Sequence, residues 1–193
     1  MWKLCALMLL LGSGLGGTDP IYNGPVRLGS FSVKRPVPIK ALVKEVGPVL
    51  SKTSPFCFSY QENAFLRLSP ILEQPESAGE ILISDFPNCS GRTVAQAVND
   101  FREWKTGESI GLGSLEKDVT AAYGKPTAIQ KPNAETYTRL FRGTPKGQTS
   151  TLPVGESVLL YNGVLRGMPN SWTSSRFGIR NGKVAWIMLT IDD

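Results

Sequence analysis

The stretch Arg176–Ile191, RFGIRNGKVAWIMLTI, reads as two β-strands joined at Asn181-Gly182. A type I′ hairpin turn needs two residues that tolerate positive φ, and Asn-Gly meets that need. The turn sets a register with Arg180 opposite Lys183, Ile179 opposite Val184 and Phe177 opposite Trp186. On that register one face carries Phe177, Ile179, Val184, Trp186 and Met188 as core material. The other carries Arg176, Arg180 and Lys183 beside Ala185, Ile187 and Leu189.

Upstream, SVLLYN (157–162) and TYTRLFR (136–142) read as further strands. Before them lies GLGSLEKDVTAAYGKP, Gly111–Pro126. Ser114 is expected to cap a helix there, with Glu116 and Asp118 in its positive first turn and Leu115, Val119, Ala122 and Tyr123 on one face. Gly124 and Pro126 stop it. The stretch RLGSFSVKRPVPIKALVKEVGP, Arg27–Pro48, has a similar grammar. Leu-Gly-Ser precedes a helix opened by Pro38, striped by Ile39, Leu42, Val43 and Val46, and closed by Gly47 and Pro48. Strands at 56–60, 64–72 and 80–86 follow. In TVAQAVNDFREWKTG (93–107), Thr93 and Gln96 form a capping box and Val94, Ala97, Val98 and Phe101 a helical stripe, which predicts an extra helix.

A helix with one apolar stripe and a short sheet with one apolar face bury against each other. The expected fold class is therefore α+β: two tandem units, each a short helix or helix pair packed on a small antiparallel sheet, over residues 24–89 and 90–193. A chance echo of Leu-Gly-Ser within one domain is the alternative.

The pattern of IGLGSLEKDVTAAYGKP followed by strands and ending in FGIRNGKVAWIMLTI resembles the small envelope domains typified by the lipoprotein subunit of the outer-membrane β-barrel assembly machinery. Two such units in tandem, one holding a disulfide, resemble the beta-lactamase inhibitory proteins. The resemblance implies fold, export and a habit of binding other proteins. It has two departures: no lipid-bearing cysteine, and no disulfide in the second unit.

The chain begins MWKLCALMLLLGSGLGG, with an early Lys, an apolar run from Leu4 to Leu11 and then small residues, the anatomy of a secretory signal ending at Gly16. The run is too short to span a bilayer. Its removal takes away Lys3 and no acid, leaving 20 basic against 16 acidic residues. That balance, without a long basic run, gives no support to nucleic-acid binding. Export leaves Cys57 and Cys89, which are expected to pair in an oxidising compartment. In the chain-entropy account such a loop is worth about 3.5–4 kcal/mol.

Catalytic chemistry is hard to place. The 193 residues contain no histidine, which removes the commonest general base and zinc ligand. Ser114-x-x-Lys117 and Lys105-Thr106-Gly107 have the motifs of penicillin-recognising enzymes in the wrong order, in too short a chain. Glu103, Glu108, Glu116 and Asp118 have no spacing that singles out a glycosidase pair. Gly111-Leu-Gly lacks the strand and third glycine of a dinucleotide loop, and the Asn88 sequon matters only in a eukaryotic secretory pathway.

The expected function is an exported noncatalytic protein-binding module without cofactors, an inhibitor of or accessory to an envelope or secreted protein, with no nucleic acid and no stable membrane insertion. The alternative is a small carboxylate-dependent hydrolase acting on cell-wall glycan. Trp172, on an expected loop, joins Arg176, Arg180 and Lys183 as the candidate partner-binding face. The alternative is that Ile187 and Leu189 pack against the first unit and the three cations stay in water, as surface charges usually do.

Overall fold

A computed structural model describes residues 19–47, 56–61, 63–87, 89, 94–131 and 156–192. The signal peptide expected over residues 1–16, the strand expected over 136–142 and the Asn88 sequon lie outside the described residues.

Two short strands, β1 (Arg27–Leu28) and β2 (Phe31–Ser32), pair as a small ribbon. β3 (Val37–Pro38) leads into helix α1 (Ile39–Val46). An antiparallel meander follows, β4 (Phe56–Tyr60), β5 (Ala64–Pro70) and β6 (Ser77–Ser84). After β7 (Ala95–Gln96) and a 3-10 turn (Phe101–Glu103) comes helix α2 (Glu116–Tyr123). β8 (Ala128–Gln130) then precedes a second meander, β9 (Ser157–Leu165), β10 (Met168–Arg180) and β11 (Lys183–Asp192).

The last strands of the two meanders pair antiparallel, from Trp186 opposite Ser84 to Thr190 opposite Glu80. One sheet therefore runs β7-β4-β5-β6-β11-β10-β9-β8, with β3 also paired to β6. This overturns the α+β expectation of two units, each with its own small sheet. Two eight-residue helices stand against eleven strands among the described residues, and the architecture is mostly β. The physical reason is edge satisfaction: β6 and β11 would each present open backbone groups, and pairing them closes both edges.

Packing follows the register. Ala95, Phe58, Leu66, Ile83, Ile187, Phe177, Leu159 and Ile129 are successive cross-strand partners through eight strands. On this face Leu42 and Val46 of α1 and Val119 and Tyr123 of α2 enter one core with Leu66, Ile83, Ile187 and Phe177. The α1 stripe read from the sequence is buried throughout. Within the core, burial pushes the Tyr161 hydroxyl up to about 12 and raises that of Tyr123. The second face holds a smaller cluster of Leu82, Phe86, Val158, Leu160, Ala185, Trp186 and Met188. The Cys57–Cys89 disulfide forms as expected and ties β4 to the segment beyond β6.

Three local expectations fail. Thr93, the expected cap, lies outside the described residues, and over 94–107 β7 and a 3-10 turn stand in place of the expected helix. Phe58 and Ser59 of β4 pair with Ala95 and Gln96, and the Val98 and Asn99 amides donate to the Val46 carbonyl at 2.8 and 3.1 Å, closing the C-terminus of α1. Val98 of the expected stripe is 67% exposed. Ser114 does not cap α2 either: its hydroxyl accepts from the Gly111 amide, and Leu115 occupies the cap position. The hairpin is the third case. Asn181 and Gly182 have φ of 52° and 68°, and Arg180–Lys183 and Ile179–Val184 pair as read. Beyond them a β-bulge pairs Gly178 with Trp186 and Phe177 with Ile187.

The bulge reverses the faces of β11. Ile187 and Leu189 join the helix-covered core, while Ala185, Trp186 and Met188 go to the other side. Trp186 is accommodated because Gly178 has no side chain: a Cβ there would lie 1.8 Å from the indole Nε1. Gly178→Ala is expected to cost about 3 kcal/mol by overpacking, read as a lower urea midpoint, with partial recovery when Trp186→Leu is added. A loss below about 1 kcal/mol, within the range of ordinary surface changes, would show that the contact is not tight.

Candidate functional site

At the hairpin end of the sheet a cleft of about 810 Å³ opens among five separate segments. The β4–β5 turn contributes Asn63, the residue after β6 is Asp85, and the 3-10 turn brings Arg102 and Glu103. The loop before α2 supplies Leu112 and Gly113, and the β10–β11 hairpin supplies Arg180, Asn181, Lys183, Val184 and Ala185.

Backbone bonds place these groups. The Asp85 amide donates to the carbonyl of the bulge residue Ala185 at 3.0 Å, so the bulge holds the end of β6 against β11. The Gly113 amide donates to the Val184 carbonyl, and the Val184 amide to that of Ser114, both at 2.8 Å. The Gly111–Ser114 turn thus lies against the start of β11 and forms a wall of the cleft.

Arg180 and Asp85 form an ion pair through the guanidinium Nη2 and Oδ2. Their side chains keep 33% and 34% exposure, so the pair sits at the rim of solvent. Asp85 Oδ1 is screened from water and has no hydrogen-bond partner within the protein. Burial holds the Asp85 carboxyl above the usual carboxylate range, against the pull of Arg180. Arg102 is held differently. Its Nε donates to Asp100 Oδ1 at 2.9 Å and its Nη2 to Oδ2 at 2.6 Å, and its guanidinium lies 4.9 Å from the centre of the Tyr60 ring. Those bonds keep the Asp100 carboxyl below its usual range.

The structure divides the four sequence candidates. Arg180 and Lys183 meet in the cleft. Arg176, four residues before Arg180 on the same strand, is half-buried and does not line the cleft, its Nη1 donating to Met188 Sδ at 3.4 Å. Trp172 lies in β10 instead of on a loop, and is 36% exposed. It stands eight residues from Arg180, about 27 Å along an extended strand. The aliphatic half of the expected face is absent, because the bulge sends Ile187 and Leu189 into the core. Asp85 was not singled out from the sequence. The one signal for it is an acid closing an apolar strand, Ile81-Leu82-Ile83-Ser84-Asp85, and many acids do that.

Among the described residues no group of three or more His, Cys, Asp or Glu side chains is arranged to hold a metal ion. No described helix is long and apolar enough to cross a membrane. Comparisons with protein-family models, curated proteins and solved structures give no match to this chain.

A raised native pKa means that the folded state binds the Asp85 proton more readily than the unfolded chain does. Stability due to this group therefore rises as pH falls from neutral toward the ordinary value of 3.8. The expected outcome is that the wild type gains on Asp85→Asn across that window, measured by urea unfolding at stepped pH. Parallel curves would show that burial does not govern Asp85.

Proposed function

We propose that the protein is an exported noncatalytic protein-binding module, acting as an inhibitor of or accessory to an envelope or secreted protein, and that the hairpin-end cleft is its docking site. The observation that supports this most directly is the incompletely satisfied Asp85–Arg180 pair at the rim of an open, polar cleft. A partner bringing a hydrogen-bond donor to Asp85 Oδ1 removes the cost of a screened, unpaired oxygen, a gain that only the correct partner gives. Lys183 and Glu103 at the same cleft favour a partner surface with charges of both signs. The Cys57–Cys89 disulfide fits an oxidising compartment.

The test is capture from an envelope extract by immobilised protein, beside an Arg180→Ala/Lys183→Ala variant and an Asp85→Asn variant, with bound proteins identified by mass spectrometry. A partner held by the parent and weakened at least about tenfold by either variant is expected, the size of effect seen at interface hot spots. Equal retention by all three would move the docking site away from the cleft. Titration into beta-lactamase and protease assays separates an inhibitor from an accessory.

A specific observation favours a second reading. Asp85 and Glu103 line one cleft, and burial moves the Asp85 carboxyl in the direction a general acid requires. The reading is a carboxylate-dependent hydrolase of cell-wall glycan. Release of reducing ends from purified peptidoglycan, abolished by Asp85→Asn and by Glu103→Gln, would establish it and displace the binding-module proposal.

A further inference from the structure

Asn-Gly occurs three times in the chain, at Asn23-Gly24, Asn162-Gly163 and Asn181-Gly182. Asparagine is chemically labile, and a following glycine leaves the attacking backbone nitrogen unhindered. The reaction needs that nitrogen to reach the asparagine Cγ, a peptide free to rotate, and water to complete it. As sequence the three pairs are equivalent. In the fold they are not.

Two of the pairs are held away from the reaction. Asn23 Nδ2 donates to the Tyr123 carbonyl at 2.8 Å. Gly24 beside it is buried so tightly that a Cβ would lie 2.6 Å from both Ser175 Oγ and the Tyr22 hydroxyl. Asn162 lies inside β9, opposite Ser174 of β10, and its amide donates to Thr127 Oγ1 at 3.1 Å. An extended strand projects the side chain out of the sheet, away from the next backbone nitrogen. Asn162 Oδ1 is also screened from water, and a Cβ on Gly163 would lie 2.4 Å from the Pro20 carbonyl oxygen.

Asn181 and Gly182 are exposed and stand outside the ladder, at the tip of the β10–β11 hairpin. Among the described residues nothing hydrogen-bonds the Asn181 side chain or the Gly182 amide. A Cβ on Gly182 would meet nothing within 4 Å, so packing does not oppose rotation of the tip peptide. The Glu116 amide donates to the Gly182 carbonyl at 3.0 Å, a tie beyond the attacking nitrogen that leaves the Asn181–Gly182 peptide free.

From this contrast we infer that Asn181 is a spontaneous deamidation site, and that the reaction adds a carboxylate to the cleft between Arg180 and Lys183. The Gly182 nitrogen bonds to Asn181 Cγ, its proton passes through water to Nδ2, and the Cγ–Nδ2 bond breaks to release ammonia. Water then opens the five-membered imide. Attack at Cγ gives Asp, and attack at the backbone carbonyl carbon gives isoAsp, whose chain runs through Cγ. By either route one amide and one water become a carboxylate and ammonium. Asn181 lines the cleft, so the new anion lies beside Arg180 and competes with Asp85 for its guanidinium. IsoAsp also lengthens the backbone of a turn built for two residues, which disturbs the pairing of Arg180 with Lys183. The modification does not depend on what docks in the cleft.

The test incubates the full exported chain in warm, mildly alkaline buffer, folded and in urea, and follows each Asn-Gly peptide by mass spectrometry, with enzymatic methylation to detect isoAsp. In the folded chain Asn181 is expected to convert at least about tenfold faster than Asn23 and Asn162. Urea should largely erase that difference, because only the fold distinguishes the three pairs. Asn181→Gly, which leaves a Gly-Gly pair suited to the same turn, should remove the acidic species resolved by ion exchange, and Asn181→Asp should match its charge. The inference is overturned if Asn181 in the folded chain converts no faster than Asn23 and Asn162, or if the acidic species persists in Asn181→Gly.

Discussion

The pairing of β6 with β11 is the constraint on which the rest of the molecule depends. Five residue pairs, from Trp186–Ser84 to Thr190–Glu80, join strands about a hundred residues apart in sequence. Without them each meander has an open central edge, and the helix-side core divides in two. With them Ile83 meets Ile187 and Ile81 meets Leu189, so α1 and α2 cover one continuous apolar surface. Contacts this distant in sequence carry a higher loop-closure cost than those within either meander.

The bulge at Ala185 turns that junction into a site. It lets β11 pair with Gly178 through Trp186, and it offers a carbonyl to the Asp85 amide. Asp85 is thereby fixed beside Arg180, which the Asn181-Gly182 turn has already placed at the end of β10. One irregularity in the ladder sets which side chains are core and where the acid sits. Bulges recur beside functional sites for this reason: they redirect side chains at little cost to the sheet.

The two ends of β10 then have different chemistry on one rigid element. At the hairpin end charges of both signs gather from three of the cleft's five segments, and a charged partner surface suits them. Toward the other end Trp172 is exposed, while Ser174, two residues on, is buried in the sheet. Asp85 Oδ1 in the cleft is screened from water with no partner in the protein, a cost that a bound partner would relieve.

The sequence by itself determined what is local. The Asn-Gly turn, the apolar stripe of α1, the core of the β4–β5–β6 meander and the cysteine pair all follow from short-range pattern or from having two partners to choose from. Thr93–Gly107 was misread because its helical spacing is also that of an edge strand and a turn, and only contact with Ser59 and the Val46 carbonyl selects between them. The faces of β11 were legible up to Val184. Beyond it, one unpaired residue changes sides for every residue that follows, and periodicity cannot register an insertion that only the partner strand defines. Whether the helices would cover two sheets or one was equally beyond the sequence. That choice belongs to backbone groups on β6 and β11, which every residue carries and no side-chain pattern distinguishes.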